Sequence, residues 1–424
     1  PKQCSRSPSA PLPLLCRVRR FYYIKEVETQ ELDLTWHSAI NEISSQAWNA
    51  LAHPLRTPLL EWEWLNQLEQ SGSMSPDTGW IPMHMAVWQE DRLIAAAPLY
   101  VRTDSMGDFV FDFAWADVAR QIGIPYYPKL VGMSPATPAS AFRFLIAPDV
   151  PEQEITRIMI EQMREFAGSN NIQSLAFNFA DPDWVPLVEQ HGFTAWLHQG
   201  YQWHNPGYHT FDDYLADFNK NQRKNIRKER KALSDNGVQL ETVRGADAPD
   251  QYFSLMYDFY ELHNEQFGPW AAKFLNREFF EGLADSFRRR VLFVVAREEG
   301  AQEPIAMSFL LAKNDILIGR YWGSLDFVDK LHFNACYYEP IRWAIENGIK
   351  DFDPGMGSHH KVKRGFRAVP TYSLHYFLDK RMRMIMEGNI DRINSFEHRN
   401  IEELNDALPF AHRDNVAITS ESEE

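Results

Sequence analysis

The stretch DPGMGSHHKVKRGF (353–366) puts three glycines, two histidines and three basic residues into fourteen positions of a chain whose formal charge is −15. Glycines let backbone amides approach a ligand closely, and Lys361, Lys363 and Arg364 add positive charge, so the chemistry suggested is capture of an anion. A solvated loop is the plain alternative. The stretch lacks GxxxxGK[ST], which disfavours nucleotide hydrolysis. His359 and His360 are adjacent and would point apart on a strand, a poor metal pair. The chain has no HExxH or HxH, and no metal cofactor is expected.

A second basic concentration is FNKNQRKNIRKERKAL (218–233), with seven Lys/Arg against one Glu. On a helix, Arg223, Arg227 and Arg230 share a face, while Phe218, Ile226 and Leu233 point toward a core. Like charges at i,i+4 repel, so one-signed charge is costly on a merely solvated face and suits an anion surface. Between the two concentrations, GRYWGSLDFVDKLHFNACYYEPIRWAIENG (319–348) sets Arg320 and Trp322 at one parity of a strand. It also gathers His332, Tyr337, Tyr338 and Glu339 about the start of a helix. Glu339 or His332 could act as general base and Tyr338 as general acid; the same residues could equally be core aromatics and a helix cap. No GxSxG and no cysteine in a marked setting occurs, so group transfer would be direct rather than through a covalent intermediate.

The elements that must position these residues read as α/β. In 80–115 and again in 291–323, three apolar runs separated by turn residues predict a three-strand antiparallel meander. The last run of the first meander is DFVFDFAW. Helical patterns flank each meander: EWEWLNQLEQSG and ITRIMIEQMREFAG around the first, and DQYFSLMYDFYELHNEQFG, NREFFEGLADSFRRR and EPIRWAIENG around the second. Pro340 suits a first helical turn and Gly348 a helix end. The strands IQSLAFNF and IKDFDPG follow. The recurrence predicts two copies of one α/β domain meeting near 198–211.

Composition narrows the class. With 58 acidic against 43 basic residues, general DNA binding is excluded as a main role, because a coat protein must neutralise many phosphates. Three cysteines form no CxxC, which points to a reducing compartment, and a cytoplasmic location is expected. No apolar run approaches the roughly 18 residues of a membrane span. The first 25 residues carry six Lys/Arg and no acid. Their Ser- and Pro-rich character fits either an organelle transit peptide or a stray extension. The final TSESEE reads as a solvated tail.

The segments PLLEWEWLNQLEQSGS, GDFVFDFAWAD, YYPKL, NKNQRKNIRKER, GRYWGS, LHFNACYYEPI and GMGSHHKVKRGF together resemble the peptidoglycan biosynthesis/recognition family, in matching order over about residues 40 to 390. These proteins carry two acetyltransferase-like (GNAT) domains and are related to the Fem-type aminoacyl transferases. The resemblance implies an α/β (α+β) fold of two tandem GNAT-like domains, each a mixed, largely antiparallel sheet flanked by helices. Residues 1–30 would be an extension, 31–200 the first domain, 201–385 the second, and 386–424 a C-terminal helix and acidic tail. It further implies acyl or aminoacyl transfer to an amine that attacks a thioester or ester carbonyl. HHKVKRGF looks like the relatives' phosphate-approaching motif and RKNIRKER like their basic helix. The acetyl-CoA loop [RQ]xxGx[GA] is missing from both GSLDFVDKLHFNAC and IGIPYYPKLVGMSP, which favours another donor such as aminoacyl-tRNA.

The expected site is therefore His332, Tyr338 and Glu339 for proton transfer. Lys361, Lys363, Arg364, Arg320, Trp322, Arg223, Arg227 and Arg230 would bind an anionic ligand. Tyr127, Lys129 and Asp117 are the first-domain candidates. The partners implied are an anionic small-molecule or tRNA-borne acyl donor, acyl-CoA or aminoacyl-tRNA, and an amine acceptor. A non-catalytic protein recognising a wall precursor or RNA is the alternative.

Overall fold

The computed structural model describes residues 17–22, 30–268 and 271–411. The TSESEE end and most of the Ser- and Pro-rich opening lie outside them. Within that opening, however, Arg17–Tyr22 is a strand antiparallel to Gln30–His37. The chain divides into two compact units that are not consecutive halves. Unit 1 comprises the described residues of Pro1–His198, Trp270–Arg288 and Thr371–Glu397; unit 2 comprises those of Gln199–Pro269, Arg289–Pro370 and His398–Glu424. The chain passes between them inside the strands Thr194–His204 and Arg367–Phe377.

In unit 1 the expected first hairpin is shared between two sheets. His84–Gln89 and Arg92–Ala97 pair with each other in one antiparallel sheet, alongside Gln30–His37. Trp80–Pro82 and Leu99–Arg102 pair in the other, with Lys129–Gly132 next to Leu99–Arg102. Both long runs must therefore break, and they do so at Met83 and Pro98, neither of which lies in a strand. Ser174–Ala180 runs parallel to Lys129–Gly132 and antiparallel to the end of Arg367–Phe377. The helix Glu152–Ser169 buries Ile155, Ile158, Met159 and Met163, the i, i+3, i+4, i+8 stripe of an amphipathic helix. Arg277–Ser286 belongs to this unit and packs Phe279 edge-on against Trp64 at 5.2 Å.

One expected strand is absent. DFVFDFAW forms a loop and then the helix Phe113–Gln121. The loop carries positive φ at Gly107, Phe109 and Phe111, which rules out a ladder. The cause is charge: Asp108 and Asp112 turn inward to buried Arg102 and Lys129, and a strand, which would put them on one face but about 13 Å apart, could not bring both carboxylates to one ammonium.

Unit 2 keeps the second meander as read. Val291–Glu298, Ala306–Lys313 and Ile316–Ser324 pair antiparallel in order, and Val238–Arg244 adds to the outer side of the first. Asp351–Asp353 joins Ile316–Ser324 in parallel. Gly300 and Asn314 take the positive φ of the connecting turns. The helix Gln251–Glu265 lies so close to the sheet that a Cβ on Gly323 would stand 1.9 Å from the Phe259 carbonyl oxygen. Backbone on both sides cannot give way cheaply. Gly323→Ala is therefore expected to cost about 3 kcal/mol, the upper range of overpacking. A urea midpoint equal to wild type would refute that close approach.

Candidate functional site

The candidate site of unit 2 is built on one helical run with a π-turn inside it. Leu331–Phe333 is α-helical, Asn334–Tyr338 is π-helical, and Glu339–Glu346 resumes the α-helix. Such insertions cluster at functional sites because they reaim successive side chains. Here Tyr337 and Tyr338 are both buried yet reach different partners. The Tyr337 hydroxyl lies 3.0 Å from His360 Nε2, and the Tyr338 hydroxyl donates to the Glu229 carboxylate. Asn334 Nδ2 anchors the turn, donating to the main-chain oxygens of Glu229 and Lys330 at 3.0 and 2.9 Å.

Residues 353–366 fold around their own cations. Gly355 and Gly357 adopt positive φ, His359–Arg364 forms a 3-10 helix rather than the strand considered for the histidine pair, and Gly365 ends it at φ 78°. Lys361 is only 2 % exposed, and its ammonium donates to the carbonyls of Gly355 and Met356 at 2.6 and 2.8 Å. Burial lowers its pKa to about 8 against the opposing pull of Asp353. Arg364, 3 % exposed, donates to His360 O and to both oxygens of Glu229, and its guanidinium lies 3.4 Å from the Phe333 ring centroid. Lys363 is exposed, with its carbonyl held by Gln222 Nε2 at 2.6 Å. Of the three cations, then, Lys363 alone faces solvent.

His332 sits half-buried among Trp322, Tyr337 and His360, with ring centroids 5.5, 5.4 and 5.9 Å away. Burial, reinforced by His360, His263, Arg364 and Lys361, lowers its pKa to about 3; burial takes His360 to about 4. Both imidazoles are neutral at pH 7, and the same depression makes each a weaker proton acceptor than an ordinary histidine. The other proton-transfer candidates are engaged elsewhere. Burial pushes the Tyr338 hydroxyl far above its ordinary range. Glu339 is buried and accepts from Arg342 and from Thr242 Oγ1. Arg320 is the extra residue of a bulge between the pairs Leu310–Gly319 and Phe309–Tyr321, so the simple alternation with Trp322 is interrupted there.

The basic run forms the helix Lys220–Asp235, capped by Asn219, with Ile226 and Leu233 buried as expected. Its arginines are not equivalent. Arg227 is exposed, Arg223 donates to Ala216 O at 3.2 Å, and Arg230 lies over the Phe211 ring at 4.2 Å. Glu229, passed over in the sequence as the lone exception to a basic run, binds Arg364 and Tyr338. Its position three after Ile226 and four before Leu233 was the signal that could have placed it facing inward.

In unit 1, Lys129 is 1 % exposed and lies 2.7 Å from both Asp108 and Asp112, with Ser105 Oγ at 2.9 Å. Burial disfavours the ammonium, but the two carboxylates outweigh it and hold its pKa above the ordinary value. Tyr127 reaches Ser105 at 2.8 Å. Asp117 is exposed and pairs with Arg120 one turn on. Nearby, His198 and His375 each place Nε2 2.7 Å from Ser373 Oγ, a grouping spread over 177 positions that no local pattern announces. Among the described residues, His53, Glu61 and Glu63 of unit 1 have ligand atoms within 4.8 Å of one another, close enough to hold a metal ion.

This α/β architecture of mixed sheets flanked by helices is the fold of FemX. That structure matches with a TM-score of 0.51 at 13% identity, covering 81% of this chain and 98% of FemX. The C-terminal DUF2156 domain of an Agrobacterium fabrum protein assigned as a lysylphosphatidylglycerol synthetase matches at 0.50 and 11% identity, over 81% of this chain and 94% of that one. A tandem GNAT protein of the clavulanic acid pathway matches at 0.42 and 11%, over 82% and 98%. The pattern of the peptidoglycan biosynthesis/recognition family, FemAB-like, fits residues 39–412, and the chain belongs to that family. No curated protein sequence matches it. No helix among the described residues is long and apolar enough to cross a membrane.

Proposed function

We propose that the protein transfers an acyl or aminoacyl group to an amine acceptor, with the chemistry in unit 2. The observation that carries the reading is a half-buried His332, held among Trp322, Tyr337 and His360 beside the cation-bearing turn 359–364, in a FemAB-like chain. The attacking amine must lose a proton as the carbonyl becomes tetrahedral, and His332 is the neutral ring placed to take it, as a weaker base than an ordinary histidine. Tyr338 and Glu339 serve as scaffold. Exposed Lys363 and Arg227, not buried Lys361 and Arg364, meet the phosphates of the ligand. The family supports an aminoacyl-tRNA donor and a nucleotide-linked wall precursor as acceptor.

Direct binding of acetyl-CoA, a mixed aminoacyl-tRNA pool and a nucleotide-linked wall precursor tests this. At least one phosphate-bearing ligand is expected to bind. Lys363→Ala/Arg227→Ala should weaken it tenfold or more, about 1.4 kcal/mol. Binding by none of the three, or equal binding by the variant, would sink the reading.

A further inference from the structure

Glu229 stands in a helix of cations without serving them. Its neighbours at i±3 and i±4 are Asn225, Ile226, Ala232 and Leu233, so it makes no intrahelical pair of the kind that stabilises charged helices. It lies instead on the inward stripe with Gln222, Ile226 and Leu233. Two polar side chains of that stripe grip the turn 359–364: Gln222 Nε2 holds Lys363 O at 2.6 Å, and Glu229 holds Arg364 at 3.0 and 2.8 Å. Glu229 also accepts from Tyr338, while its main-chain oxygen accepts from Asn334. One residue therefore joins the basic helix, the π-turn that follows His332, and the cation-bearing turn.

We infer that Glu229 is a positioning residue of the transfer site, a latch that fixes His332 relative to the turn 359–364. The inference rests on the function proposed above. Arg364 is buried, and its charge is met by Glu229. Without that carboxylate, the arginine carries an uncompensated charge and must leave its seat on Phe333. The turn would loosen, carrying His360 away from Tyr337. Glu229 touches no reacting atom; it acts through Arg364 and Tyr338.

The test compares full-length wild type with Glu229→Gln, which keeps the shape and removes the charge, and Glu229→Asp, which keeps the charge one methylene short. Hydrogen exchange of amides 359–366 is expected to quicken at least tenfold in Glu229→Gln, with the strand Val291–Glu298 unchanged as the control against general unfolding. Glu229→Asp should fall between the two. With the aminoacyl-tRNA pool as donor and the wall precursor as acceptor, kcat should drop at least tenfold and KM stay within twofold. Unchanged exchange in 359–366 overturns the latch, as does a loosened turn with full kcat. A wild type that turns over nothing defeats the transferase reading, and the exchange result then decides the latch alone.

Discussion

Replacing Lys129 with Met is expected to remove about 3–5 kcal/mol of stability, the usual cost of breaking a buried ion pair by deleting one partner. Lys129 and Arg102 are almost wholly buried, as are Asp108 and Asp112, so two cations balance two anions. Arg102 reaches Asp108 through Nε at 3.2 Å and turns the rest of its guanidinium to Asp104 and the carbonyls of Gly79 and Met106. It cannot also serve Asp112. Tyr126 donates to Asp112 at 2.8 Å, but a hydroxyl does not neutralise a carboxylate. Lys129→Met thus strands one negative charge where water does not reach. If charge balance is the cause, adding Asp112→Asn should recover a large part of the loss. Urea unfolding of the three proteins decides it: a single variant within 1 kcal/mol of wild type, or a double variant worse than the single, would contradict the account. A loss of this size is a large share of the roughly 5–15 kcal/mol that holds an ordinary domain.

The same cluster shows what the sequence could and could not say. Unit 2's meander is legible because each apolar run ends at turn residues and each strand stays in one sheet. Unit 1's is not, because the runs 80–89 and 92–102 each serve two sheets and the apolar pattern runs on through both breaks. DFVFDFAW alternates like a strand, yet its two aspartates are core residues matched to cations on neighbouring strands, a pairing invisible without the fold. The glycine- and lysine-rich turn stands out by composition, but composition cannot tell which cations face outward. Lys361 and Lys363 differ by two positions and have opposite fates, since one ties the turn's own carbonyls and the other meets solvent. Glu229 was recoverable from periodicity; its link to Arg364, 135 positions on, was not.

Replacing His332 with Gln is expected to lower kcat by about 10², the low end for a positioned general base because its depressed pKa makes it a weak one, with little change in KM. Glutamine keeps bulk and hydrogen bonding beside Trp322 but cannot take a proton. The pH dependence sharpens the test. With a folded pKa of about 3 against an ordinary 6.5, His332 is already neutral throughout the range in which an exposed histidine would titrate. It should therefore impose no acid limb on the wild-type rate between pH 5 and 8. The linkage sign follows from the same depression. As pH falls from about 6.5 toward 3, the unfolded chain takes up this proton and the folded chain does not, so stability drains away across that window. His332→Gln removes the linkage, and its stability should fall less than that of wild type between pH 7 and 4. The two readouts separate two roles. A variant that loses the acid sensitivity but keeps full kcat has lost only a buried neutral ring, and the base must be sought elsewhere, with His360 next in line. A variant that loses kcat a hundredfold and binds its ligands as before has lost the proton acceptor, an outcome that a protein built only to recognise a wall precursor could not give.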